Sequence, residues 1–342
     1  MKHVPLPLKI PAAGHINVLV LGSSTAFPGL ETFNQSMLII FPDNTYGLID
    51  CGEDTPKALI YHGVDIKRIR WVYISHLHAD HCFGIPRLGL ARYDFSRFPK
   101  HYSEGNYAPI LFGKQQVLAA LWDSVKAPLA TLQNVQGTLE TFFQPIPITT
   151  HFDWEGWNFR LIQQVHVVSD AEIMPSFGLI ITKPGMKSIY LTTDSQFCSP
   201  RQVEDFYKLV DIIVQDCELI GVNTLFEEGQ DVYLDKADNT WKAWPEEFMA
   251  NAELMAKGCS PIKWARSKFF SGVHANFAQL AGYESANSTK LEAATKSKMN
   301  LSHTQDFKLD NVDMYGNPCD WDSEAKKAGF AGIVKTGDYF EL

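Results

Sequence analysis

The run His76-Leu77-His78-Ala79-Asp80-His81 places three imidazoles and a carboxylate within six residues. Neutral imidazole nitrogens and carboxylate oxygens are the donors that a borderline cation such as zinc takes. At the residue frequencies of this chain, a chance match to His-x-His-x-Asp-His is on the order of one in a thousand. Two histidines one residue apart on a loop can point at one ion, while the Asp80-His81 pair turns towards a second. The spacing points to a binuclear centre; the competing reading is a polar surface loop that happens to be rich in histidine.

Such a loop needs a rigid base. Residues 71–75 (Trp-Val-Tyr-Ile-Ser) are β-branched and aromatic, so they read as a strand that delivers His76 at its carboxyl end. Strands are also expected at 16–22, 36–41 and 46–50, the last two joined by a Pro42-Asp43-Asn44-Thr45 turn. Thr55-Pro56 reads as an N-cap followed by proline at the first helical position, with Gly63 as the stop. A helix from Gly84 to about 93, a strand at 110–113 and a helix from Lys114 complete the first half. The second half offers strands at 159–167, 177–182, 188–193 and 211–215, and helices at 200–209, 276–282 and 288–298. A strand entering Ser302-His303, a helix at 322–328 and a strand at 332–335 close it. Strands grouped with helices twice over imply an α/β fold of two similar halves, a four-layer αβ/βα sandwich. The expected organisation is one domain over 1–342, with the weakly patterned stretch 221–271 as a peripheral insertion or cap.

The composition is that of a globular chain, 45% hydrophobic and 20% charged, which excludes a disordered or collagen-like protein. Its six cysteines form no Cys-x-x-Cys pair, so neither a zinc ribbon nor a redox motif is spelled. The amino terminus has two prolines in its first seven residues and no secretory apolar run. No apolar stretch approaches the roughly 18–20 residues that span a bilayer, so the reading is a cytoplasmic protein with no membrane partner. A net charge of −9 gives no global attraction to nucleic acid or anionic lipid.

Ser75-His-Leu-His-Ala-Asp-His81, preceded by Leu-Ile-Asp-Cys-Gly-Glu-Asp-Thr-Pro-Lys-Ala-Leu and followed by Phe-Gly-Ile-Pro-Arg-Leu, resembles the metallo-β-lactamase fold hydrolases. The likeness is to the ribonuclease Z and cyclic-nucleotide phosphodiesterase branch, and it runs along most of the chain. Leu21-Gly22-Ser23-Ser24 resembles the opening glycine loop of that branch. His166 resembles its third site-one histidine, Asp194 its bridging aspartate and His303 its last site-two histidine. The resemblance implies two divalent ions, zinc by preference with manganese also compatible. His76, His78 and His166 would hold the first, Asp80, His81 and His303 the second, and Asp194 would bridge. His274 resembles the helix-opening histidine that acts on the leaving group, although it competes with His303 for a ligand role. Its acid partner aligns with Asp216, where the family usually has glutamate, so the reach is shorter by one methylene.

The implied chemistry is phosphodiester hydrolysis by attack of a metal-bridging hydroxide, with His274 protonating the leaving group and Asp80 also orienting the nucleophile. Two divalent ions make the site locally positive, so a small anionic nucleotide suits an acidic protein. Three substrate classes compete: a cyclic nucleotide, a precursor tRNA, and a non-phosphate substrate of the lactonase or β-lactamase type. The tRNA endonucleases of bacteria carry an extended arm between the third histidine and the bridging aspartate. Here only 28 positions separate 166 from 194, filled by two strands and a turn. The expectation is therefore a small cyclic nucleotide, with nucleic acid as the lesser alternative. The branch also implies a homodimer, and Trp241, Trp244, Trp264, Phe269 and Phe270 are candidates for a pocket cap, a subunit contact or ordinary packing. Phe95, Phe98, Tyr102 and Tyr107 are candidates for base stacking or loop packing.

Overall fold

The apolar runs become two seven-stranded sheets, one in each of two compact units. The structure is a computed structural model. It describes residues 5–28, 32–96, 108–132, 135–169, 172–196, 206–217, 226–228, 232–235, 237, 240–261, 265–267, 274–282, 291–304 and 320–342. The first unit comprises Met1–Phe152, Pro184–Met186 and Val334–Leu342, and the second comprises Asp153–Lys183 and Lys187–Ile333.

In the first unit, β1 (Asn17–Gly22), β2 (Ser36–Ile40) and β3 (Tyr46–Ile49) form an antiparallel meander, continued in parallel by β4 (Ile69–Ile74), β5 (Ile110–Lys114) and β6 (Gln144–Ile148). The expected hairpin is present: Ile40 faces Tyr46, and Asp43 Oδ1 accepts from the Thr45 backbone N–H and hydroxyl at 2.9 and 2.7 Å. β4 is almost continuously apolar because it is central in the sheet, with Trp71 packed edge-on against Phe41 and Phe152. The proline-containing helix spans Thr55–Tyr61, but its N-cap is Asp54 rather than Thr55. Asp54 makes no side-chain cap; its Oδ1 instead accepts from the Asn34 N–H at 2.9 Å and ties the helix start to the loop after β1.

β7 (His151–Trp154) lies where the chain passes into the second unit. That unit's sheet runs through β8 (Trp157–Gln164), β9 (Ser176–Thr182), β10 (Ile189–Leu191), β11 (Ile212–Asp216), β12 (Met299–Ser302) and β13 (Gly332–Ile333). The last four are mutually parallel. Its core gathers Tyr190, Tyr207, Ile213, Phe277, Leu280, Leu301, Trp321 and Phe330. Each large apolar side chain buried there contributes roughly 1.5–3 kcal/mol.

Three expectations need correction. β8 ends at Gln164, so His166 lies in a loop beyond the strand, where the Gln196 side chain and backbone hold the carbonyls of His166 and Val165 at 2.6 and 2.7 Å. The closing strand is only Gly332–Ile333. A further strand, β14 (Tyr339–Glu341), returns to the first unit and pairs antiparallel with β1. Of the helix expected at 200–209, residues 207–209 form a 3-10 turn and 200–205 lie outside the described residues. Phe98, Tyr102, Tyr107, Trp264, Phe269 and Phe270 also lie outside them, and Phe95 falls in the helix Ile85–Ser96. In the stretch 221–271, Val232–Asp235 and Thr240–Ala243 pair as an antiparallel ribbon, followed by the helix Phe248–Ala256. Among the described residues no helix is long and apolar enough to cross a membrane.

Candidate functional site

In open α/β sheets, side chains that do chemistry gather beyond the carboxyl ends of parallel strands. Both units follow that rule. In the first, β3 and β4 are parallel neighbours with Ile49 opposite Tyr73, so Asp50 and Ser75 leave the sheet side by side. His76 and His78 follow on the extended segment after β4, and Asp80 and His81 sit in the single turn Ala79–Cys82. That turn is clamped by backbone bonds from Cys51 N–H to His81 C=O and from Gly84 N–H to Cys51 C=O, both 2.8 Å. A Cβ at Gly52 would collide with the Asp80 carbonyl, so only glycine allows this approach.

The imidazoles of His76 and His81 lie 4.1 Å apart between centroids, and those of His76 and His78 4.8 Å. Asp80 Oδ2 is 3.5 Å from His81 Nε2. Asp50, which the sequence reading gave no role, accepts from His81 Nδ1 at 2.9 Å. It also accepts from the Ser75 backbone N–H and hydroxyl, each at 2.8 Å.

In the second unit, Asp216 ends β11, His303 directly follows β12 and Asp194 lies in the loop after β10, all beyond the carboxyl ends of neighbouring parallel strands. Asp194 reaches His303 Nε2 with Oδ1 at 3.3 Å and His166 Nε2 with Oδ2 at 3.5 Å. Asp216 Oδ2 accepts from His274 Nδ1 at 2.8 Å and from the Ser195 N–H at 2.7 Å, while Oδ1 lies 3.3 Å from His303 Nδ1. The shorter aspartate therefore does reach His274, from its place at the end of β11. His274 lies just ahead of Asn276, the N-cap of the helix Phe277–Ala281, whose capping box of Asn276 and Gln279 fixes the chain's entry. His166 is braced through Val165, buried against Val232 and Trp241 of the 221–271 ribbon.

The donors are nitrogen and oxygen. Burial pushes the Cys82 thiol up to about 12 and the Cys51 thiol well above its ordinary value, so neither offers a thiolate near neutral pH. Asp194, Asp216, His274 and His303 offer ligand atoms all within 4.8 Å of one another. Imidazole and carboxylate donors fit zinc or manganese. Burial opposes charge on both members of the Asp216–His274 pair. Their mutual attraction outweighs it, holding Asp216 below the usual carboxylate range and His274 above the usual imidazole range. His274 keeps 10% of its side chain exposed, whereas Asp216 is sealed.

Three of these strand-end residues, Asp50, Thr193 and His303, have φ of 59°, 53° and 63°. Non-glycine residues in this left-handed region cost of order 1–3 kcal/mol and persist where the surroundings hold them, commonly at functional sites.

Residues 16–231 match the family described as Anti-Pycsar protein Apyc1. The chain belongs to that family. The Anti-Pycsar Apyc1 protein of Paenibacillus harenae is 27% identical over 207 residues, 60% of this chain and 78% of that one. A ribonuclease Z of Parabacteroides distasonis is 36% identical over 72 residues, 21% of this chain and 23% of that one, so the likeness spans less than a quarter of the relative. The crystal structure of the metallo-β-lactamase fold protein YhfI from Bacillus subtilis superposes with a TM-score of 0.60 at 16% identity. That superposition covers 96% of this chain and 100% of that one, and it shows the fold. The Apyc1 family comprises metallo-β-lactamase-fold cyclic-nucleotide phosphodiesterases, so this chain is a metal-dependent hydrolase of the phosphodiesterase type. The family match contains His76 to His81, His166, Asp194 and Asp216; His274 and His303 lie beyond it.

Proposed function

We propose that this protein hydrolyses 3′,5′-cyclic nucleotides to monophosphates with two divalent ions, zinc in the resting enzyme. The observation that carries the reading is a proton donor beside metal donors: His274, bound to Asp216 at 2.8 Å and partly exposed, next to the Asp194–His303 contact. In this reading His76, His78 and His166 take one ion, Asp80, His81 and His303 the other, and Asp194 serves both. When bound, the two cations lower the pKa of water and neutralise charge growing on the phosphoryl oxygens. Asp80 orients the attacking water besides ligating. His274 gives its Nε2 proton to the ester oxygen that leaves phosphorus, while Asp216 holds Nδ1 and stabilises the imidazolium.

The chain between His166 and Asp194 supports a small substrate over tRNA. Its described elements are the short ribbon Val168–Ser169 with Glu172–Ile173, then β9 and β10. We further propose a cytoplasmic homodimer. Phe248, Met249 and Met255 stand exposed on the helix Phe248–Ala256, a surface suited to a second copy and tested by light scattering in solution.

The experiment is hydrolysis of a panel of 3′,5′-cyclic nucleotides beside a precursor tRNA, with protein reconstituted separately with zinc and with manganese. Monophosphate from the cyclic nucleotides with intact tRNA supports the reading. Cleavage of tRNA alone, or of neither, overturns it, the second outcome in favour of a non-phosphate ester.

A further inference from the structure

We propose that Ser75 is a positioning residue that extends the hold of one carboxylate, Asp50, from His81 to His76, so that both rings present Nε2. The inference rests on the reading of His76 and His81 as metal ligands. The number of protons available fixes the direction of each bond. A serine hydroxyl has one proton to give. Ser75 Oγ gives it to Asp50 Oδ2 at 2.8 Å. Towards His76 Nδ1, 3.0 Å away, the same Oγ can then only accept. His76 must therefore carry its proton on Nδ1, which leaves the lone pair on Nε2. His81 is set in the same sense, because its Nδ1 faces Asp50 Oδ2 at 2.9 Å and a carboxylate oxygen can only accept.

The geometry that permits this is specific. The Asp50 N–H binds the Tyr73 carbonyl at 2.8 Å, and the Ser75 N–H binds Asp50 Oδ1 at 2.8 Å, which locks the two strand ends in register. Ser75, His76 and His81 are fully buried and Asp50 nearly so; bulk water does not compete for these bonds. Asp50 adopts φ 59°, so the carboxylate is held at this place by a backbone conformation that an L-residue seldom takes. One acid thus orders the first histidine of the motif through a hydroxyl and the last directly.

Outer partners of metal-binding histidines typically account for about 10–100-fold in metal affinity. The test is zinc titration of metal-free protein against a chromophoric chelator, for the unmodified chain and for Ser75→Ala, Ser75→Thr, Asp50→Asn and His76→Ala. Side-chain nitrogen NMR of the metal-free proteins reports the ring tautomers. Ser75→Ala is expected to weaken one of two ions by about 10–100-fold and leave the other, with the His76 signal shifting from Nδ1–H towards a tautomer mixture. Ser75→Thr, which keeps the hydroxyl, restores both readings, and Asp50→Asn weakens both ions.

Two results overturn the role of Ser75 while leaving the ligand reading intact, provided that His76→Ala loses an ion. One is unchanged affinity and tautomer in Ser75→Ala. The other is an equal loss at both ions with a lowered melting temperature, which marks general packing. If His76→Ala itself keeps both ions, the ligand reading fails and the inference falls with it.

Discussion

Asp50 in the first unit and Asp216 in the second are both buried aspartates at parallel strand ends beside two imidazoles, yet their two arrangements differ. Asp50 holds His81 directly and His76 through Ser75, and all four side chains are sealed. Asp216 holds His274 and approaches His303, and His274 retains an exposed edge. The sealed arrangement fixes which nitrogen carries a lone pair. The open one raises the proton affinity of a ring that can still exchange with solvent. The same strand-end geometry thus leaves one arrangement sealed and the other with an exposed edge; on the proposed function that difference in exposure separates fixed ligands from a proton donor.

The largest effect expected is from His78→Ala, a half-buried histidine beside the sealed cluster. It removes metal and activity together, by about 10³-fold or more in kcat, because several kcal/mol of charge stabilisation leave with the ion. Metal content by mass spectrometry beside turnover checks it; full metal with lost turnover contradicts the ligand role. Next, Asp216→Asn lowers kcat on the order of 10²–10⁴-fold, since the ring loses its charged partner. At saturating zinc this loss exceeds that of Asp50→Asn, whose defect excess metal offsets. Equal losses at saturating zinc would erase the distinction between the two arrangements.

The smallest effect concerns an aspartate outside both clusters. Asp211 sits below the usual carboxylate range because the Ser188 backbone N–H and hydroxyl donate to Oδ2, each at 2.8 Å. A depressed folded pKa adds stability above the unfolded value near 4 and loses it as pH falls through the folded value. Asp211→Asn therefore costs about 1 kcal/mol or less at pH 7, and flattens the melting-temperature curve below about pH 4. A variant that tracks the parent across that acid range refutes the contribution.

How much of this was legible in the sequence follows the same division. The first cluster is contiguous, so His76, His78, Asp80 and His81 could be read from spacing alone. The second is gathered from residues 166, 194, 216, 274 and 303, which no local pattern joins, and a family likeness was needed to select them. Asp50 and Ser75 escaped notice because their bond depends on the register of β3 against β4, which neither strand spells by itself. β14 was missed because Tyr339-Phe340-Glu341 is too short to signal a strand without β1 beside it. The N-cap was misplaced by one residue because Asp54 is used across the fold, for Asn34, rather than along its own helix.

The most direct test of the central claim is to measure metal content and turnover of His274→Ala on two substrates. One is a 3′,5′-cyclic nucleotide, and the other a p-nitrophenyl phosphodiester whose leaving group needs no proton. The account predicts two ions retained, a loss of about 10²–10⁴-fold on the cyclic nucleotide and a far smaller loss on the nitrophenyl ester. Loss of an ion, or equal losses on both substrates, would contradict it and make His274 a ligand or a structural residue instead.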